Sequence, residues 1–136
     1  MRTIKFRGLD INTNKWSYGY LSWFESPENG LFINGKPVIL ESVGQFTGLY
    51  DIDGKEIYDG DIVVREKDKK HSDKYKVDFK QGMFIMINSE QDSFYSVALC
   101  RYIDNDLHPR KYETEEDRLN CDKVLLKVIG NIHENN

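Results

Sequence analysis

Residues 45–63 read QFTGLYDIDGKEIYDGDIV, with three glycines (Gly48, Gly54, Gly60) and five carboxylates (Asp51, Asp53, Glu56, Asp59, Asp61) in nineteen positions. Four readings compete for such a stretch: a calcium loop, a phosphate cradle, an acid–base site, or turns between strands. An EF-hand loop needs alternating oxygen ligands and a glycine at its sixth position. Counted from Asp51, the glycine comes fourth, and Lys55 puts a cation inside the cage. A phosphate loop needs GxxxxGK followed by Ser or Thr. Gly54-Lys55 lacks the earlier glycine and the following hydroxyl. Acid–base pairs work when an apolar pocket or a neighbouring charge shifts one pKa, and the spacing singles out no such pair. Turns fit best. Asp53-Gly54 and Asp59-Gly60 are turn dipeptides in which glycine supplies positive φ. Between them Ile57 and Tyr58 form an extended pair to be buried, and Asp61 launches the β-branched run Ile62-Val63-Val64. The stretch is therefore expected to be an architectural corner. Gly54 and Gly60 are its structural turn glycines, and valine at either is expected to cost folding rather than activity.

Strand signals continue in both directions. TIKFRG (3–8) alternates Ile4 and Phe6 against Thr3, Lys5 and Arg7, which predicts a half-buried strand with Arg7 outward. DINTN (10–14) is turn chemistry, so residues 3–24 read as an opening hairpin, with Trp16, Tyr18 and Tyr20 on one face. SPENG (26–30) marks a second turn, and Asn34-Gly35 marks a tight turn between LFI and VILESV. KYKVDFK (74–80) alternates Tyr75, Val77 and Phe79 inward against Lys74, Lys76 and Asp78. MFIMI, SFYSVALCRYI and KVLLKVIGNI complete the strand-like runs. One short helix is expected over 113–122, with Thr114 as its cap. Eight or so short strands with turns every eight to twelve residues predict an all-β barrel or sandwich.

Composition narrows the function classes. At 136 residues, 39% hydrophobic and 31% charged, the chain has enough apolar material for one packed core and a solvated surface. A net charge of −4 gives no overall attraction to nucleic acid. No run approaches the ~20 apolar residues that span a bilayer, so the expected location is the cytoplasm, without membrane association. Cys100 and Cys121 suit that compartment as free thiols. His71, His108 and His133 occur without HExxH, CxxC or HxH spacing, so no metal, cofactor or catalytic residue is assigned. Residues 65–80 carry seven Lys or Arg against four acids. That hairpin is either a soluble edge or a nucleic-acid contact through Lys69, Lys70, Lys74, Lys76 and Lys80, joined by Arg2, Lys5 and Arg7; the edge reading is preferred. Residues 104–122 carry seven acids against three bases. Faces of opposite sign favour self-association.

Three blocks, MRTIKFRGLD (1–10), GQFTGLYDIDGKEIYDGDIV (44–63) and VIGNIHEN (128–135), resemble the signature blocks of the YopX family in order and spacing. Phe46 and His133 stand where that family often has tyrosine. The resemblance implies a phage or prophage protein, mostly of Gram-positive hosts, with a small SH3-like barrel, and it carries over no catalytic residue. The expected organisation is one unit over 1–136, with an N-terminal β part (1–45) packed on a barrel (46–136) and extra antiparallel hairpins. The expected function is a non-catalytic, oligomeric protein-interaction module whose partners are further copies of itself and a phage or host protein. The alternative is a nucleic-acid-binding small barrel in phage DNA or RNA metabolism.

Overall fold

The computed structural model describes residues 3–65, 74–80, 82–87, 96–98 and 126–134. The expected helix at 113–122, both cysteines, His71, His108, Arg2, Lys69 and Lys70 lie outside them. β1 (Phe6–Leu9) and β2 (Trp16–Gly19) form the opening hairpin. Asp10 builds its turn: Oδ1 accepts the N–H of Asn12 at 2.8 Å and of Thr13 at 3.4 Å. The chain bends at Gly19 and enters a different sheet, made of β3 (Leu21–Ser22), β4 (Leu31–Ile33) and β5 (Lys36–Val38). Ser26 caps a 3-10 turn over Pro27–Asn29, where SPENG predicts a reversal. Asn34 (φ 52°) and Gly35 (φ 75°) make the tight β4–β5 turn.

After a second 3-10 turn at Leu40–Ser42 come β6 (Gly44–Tyr50), β7 (Glu56–Tyr58) and β8 (Asp61–Arg65). β9 (Lys74–Lys80), β10 (Met83–Ile87), β11 (Ser96–Ala98) and β12 (Leu126–Asn131) follow. All described pairings are antiparallel, in three sheets ordered β2–β1–β6–β7, β11–β10–β9–β8–β12 and β3–β4–β5. The fold is all-β and barrel-like. The first sheet crosses residue 45, because β1 pairs with β6 through Phe6–Gln45 and Arg7–Gly44. Among the described residues no helix is long and apolar enough to cross a membrane.

Two apolar cores result among the described residues. The larger gathers Ile57, Val63, Tyr75, Val77, Met86, Leu126 and Val128. The smaller holds Leu31, Ile33 and Val38, with Phe6, Leu21 and Val43 against it. β1 is covered on both faces: Gly8 lies directly over Val38, while Arg7 points the other way. Period-two patterning assumes one wet face, and here there is none. Arg7 is therefore buried, not outward as the alternation predicts, and Ile4 is exposed. The inward assignment of Phe79 also fails. It is half exposed and rests edge-on against Phe84 at 4.9 Å. β9 outruns the core at that end.

β6 begins in close approach to the β7–β8 turn. The Asp59 N–H donates to the Gln45 carbonyl at 2.9 Å, and a Cβ on Gly44 would overlap the Asp59 carbonyl oxygen. Backbone, not a flexible side chain, would have to yield. Gly44→Ala is expected to lower stability by about 1–3 kcal/mol, measured as a lower urea midpoint with unchanged m-value.

Candidate functional site

The acidic stretch is wired for structure. Asp51 is buried, and its Oδ1 accepts the N–H of Asp53 at 2.9 Å and of Lys55 at 2.8 Å. Its Oδ2 accepts the Val128 N–H of β12 at 3.1 Å. Beside it the Ile52 N–H donates to the Leu126 carbonyl at 2.9 Å. One carboxylate thus closes the Asp-Gly turn and fastens the last strand to it. Gly54 and Gly60 stand at φ 85° and 95°, and Ile57 and Tyr58 are buried. Among the described residues no group of three His, Cys, Asp or Glu is placed to hold a metal ion.

Asp61 anchors a second assembly that alternation conceals. Its Oδ2 accepts the Tyr58 N–H at 2.8 Å, and its Oδ1 lies 2.7 Å from Nη2 of Arg7. Both side chains are at least 94% buried. The contact is a buried ion pair, and among the described residues Nε and Nη2 find no well-aligned hydrogen-bond acceptor. Trp16 and Tyr58 cover the guanidinium, with ring centroids 4.5 and 4.9 Å from Cζ. Cation–π attraction of this kind is worth roughly 0.5–2 kcal/mol per contact. Burial pushes the Asp61 carboxyl above its ordinary range, against the pull of Arg7 and the Tyr58 N–H. Burial likewise raises the Tyr58 hydroxyl, helped by Glu56, to whose Oε1 it donates at 3.3 Å. Glu56 in turn pairs with Lys5.

The C-terminal turn closes this knot. Gly60 donates its N–H to Val77 at 2.9 Å and accepts the Ile132 N–H at 3.0 Å. His133 meets Trp16 edge-on at 6.2 Å. A Cβ on Gly60 would stand 3.8 Å from both His133 Nε2 and Arg7 Nη2. All three sequence blocks therefore converge: Arg7 from the first, Tyr58, Gly60 and Asp61 from the second, His133 from the third. The missed signal lies in strand register. Arg7 opposes Tyr18, so Trp16 is its diagonal neighbour on the same face.

The His133 imidazole is held below its ordinary 6.5, first by burial and then by the charges of Arg7 and Lys76. A base whose folded pKa lies below its unfolded one contributes stability above the unfolded pKa. That contribution is lost as pH falls through 6.5 toward the folded value. His133→Phe is expected to show a smaller drop in melting temperature between pH 7 and pH 5 than the parent protein.

The lysine hairpin has a mixed outcome. Lys74 and Lys80 are exposed, but Lys76 and Lys80 share Asp78 at 3.7 and 3.8 Å. Arg7 is sealed, and Lys5 is paired with Glu56 over the Phe46 ring. Trp16 and Tyr18 share the Arg7 face as expected, Tyr18 resting against Tyr58 at 5.7 Å, but Tyr20 lies beyond the strand. β2 stops at Gly19, and Tyr18, Tyr20, Trp23 and Phe24 are exposed.

These features define a small antiparallel β protein organised around a buried Arg–Asp pair and a carboxylate strand clamp. The chain belongs to the YopX protein family, whose model matches residues 5–136. No curated protein matches it. Among solved structures it is similar to the crystal structure of protein EF1440 from Enterococcus faecalis, at 20% identity and a TM-score of 0.51, covering 99% of this chain and 96% of that one. That likeness supports the shared fold.

Proposed function

We propose that this protein is a non-catalytic interaction module that assembles with copies of itself, encoded by a phage or prophage and acting in the bacterial cytoplasm. One observation supports the reading most. Eleven large apolar side chains among the described residues are 45–79% exposed, against thirteen hydrophobic residues buried in the cores. Scattered exposure is ordinary for a monomer, but clustered aromatics mark contact surfaces. The described buried acids Asp10, Asp51 and Asp61 are all committed to backbone N–H groups, which suits a scaffold. Light scattering across a concentration series tests it: the expected mass exceeds the 16.0 kDa of one chain. A single 16.0 kDa species at every concentration would remove the proposal.

A further inference from the structure

We infer that the segment Tyr18–Phe24 is the face through which a second copy of this chain docks, patch against patch about a two-fold axis; the inference rests on the self-assembly reading and names its contact surface. The segment runs along two sheet edges. β2 is the outer strand of the four-stranded sheet, and β3 is the outer strand of the three-stranded sheet. Tyr18, Tyr20, Trp23 and Phe24 are all exposed, Tyr20 at 79% and Phe24 at 75%.

The exposure is held in place by specific contacts. Asn34, from the β4–β5 turn, donates its side-chain N–H to the Tyr18 carbonyl, and a Cβ on Gly19 would run into that Asn34 side chain. The Phe24 carbonyl accepts the Ser26 N–H at 2.7 Å and the Asn29 side-chain N–H at 3.3 Å. Glu25, between Phe24 and Ser26, sits at φ 65°. That left-handed conformation costs an L-residue roughly 1–2 kcal/mol. The backbone is thus bent to present Phe24, although no described residue buries its ring.

Area and charge select the occupant. Four partly exposed aromatics offer roughly 500 Å² of surface, at ~200 Å² for each whole side chain. A stable pair of proteins covers about 800 Å² on each partner, so this patch supplies most of one side. The whole chain carries −4, so two copies repel. Residues 15–38, however, balance Lys15 and Lys36 against Glu25 and Glu28. A second copy meets a neutral, aromatic segment identical to its own, which is what a two-fold contact needs. An acidic peptide or nucleic acid would need positive charge that the segment lacks. Tyr and Trp are also the residues that most often anchor interfaces.

The test compares three proteins by light scattering and sedimentation over a concentration series. They are the parent chain, Tyr20→Ser/Phe24→Ser, and Phe79→Ser/Met83→Ser on the β9–β10 hairpin as a second exposed apolar site. Amide exchange of the parent at low and high concentration reports the contact without any substitution. The patch variant is expected to keep its melting temperature and associate at least about 100-fold more weakly, as loss of two aromatic anchors implies. The hairpin variant is expected to match the parent, and amides of 16–24 should gain protection at high concentration. A patch variant that assembles like the parent, a hairpin variant that dissociates, or protection gained elsewhere overturns this face and leaves self-assembly standing. A parent chain that stays monomeric throughout overturns both.

Discussion

Arg7→Met is expected to lower folding stability by about 3–5 kcal/mol at pH 7, the usual cost of removing one partner from a buried ion pair. Methionine keeps an unbranched apolar stem between Trp16 and Tyr58, so the loss is chiefly electrostatic. What it leaves behind is Asp61, sealed from water and, among the described residues, hydrogen-bonded by the Tyr58 N–H. Burial already raises that carboxyl, and Arg7 is its main opposing influence. Without Arg7 the folded pKa climbs further above the unfolded value. An acid raised in this way penalises the folded state at pH above its folded pKa, and the penalty fades as pH falls through it. The deficit of the variant should therefore be largest near neutrality and shrink toward pH 4. Urea denaturation at several pH values measures it. Asp61→Asn added to Arg7→Met is expected to recover part of the loss, because the amide oxygen still accepts from Tyr58 and no charge remains. A deficit independent of pH would mean that packing, not charge, dominates the knot.

Asp51→Ala is expected to cost about 3 kcal/mol or more, since each buried donor left unanswered costs roughly 1–3 kcal/mol. Three backbone N–H groups lose their acceptor, and the Val128 bond is buried. Asp51→Asn separates the two oxygens. It can still accept from Asp53 and Lys55, but it turns an amide N–H toward the Val128 N–H. An intermediate loss is expected, with amide exchange accelerated in β12 more than in the Asp-Gly turn. Equal acceleration in both would show that the turn and the strand come undone together.

The local parts of this fold were readable from the chain. Asn34-Gly35, Asp53-Gly54 and Asp59-Gly60 announce turns because positive φ is a property of one or two residues. Tyr75 and Val77 announce an inward face because one side of β9 covers the larger core. Alternation misplaces Arg7 and Phe79 for opposite reasons. A distant sheet covers the face of β1 that alternation assigns to water, and the core ends before β9 does. The move of the chain from β2 into a new sheet at Gly19 is equally hidden, since the Asn34 side chain packed against it comes from fifteen positions away. The strand clamp of Asp51 is hidden because composition shows its charge but not the Val128 N–H that it serves.

The Asp51–Val128 clamp joins positions 77 apart. A ribosome adding 5–20 residues per second makes Asp51 wait roughly 4–15 s for its partner to be synthesised. For that interval the apolar run Ile62-Val63-Val64 of β8 has no β12 beside it, and an unpaired edge of this kind invites association with other nascent chains. Faster elongation between codons 64 and 126 shortens the vulnerable period, so yield of soluble protein should respond to synonymous changes in that interval, which alter no residue of the product.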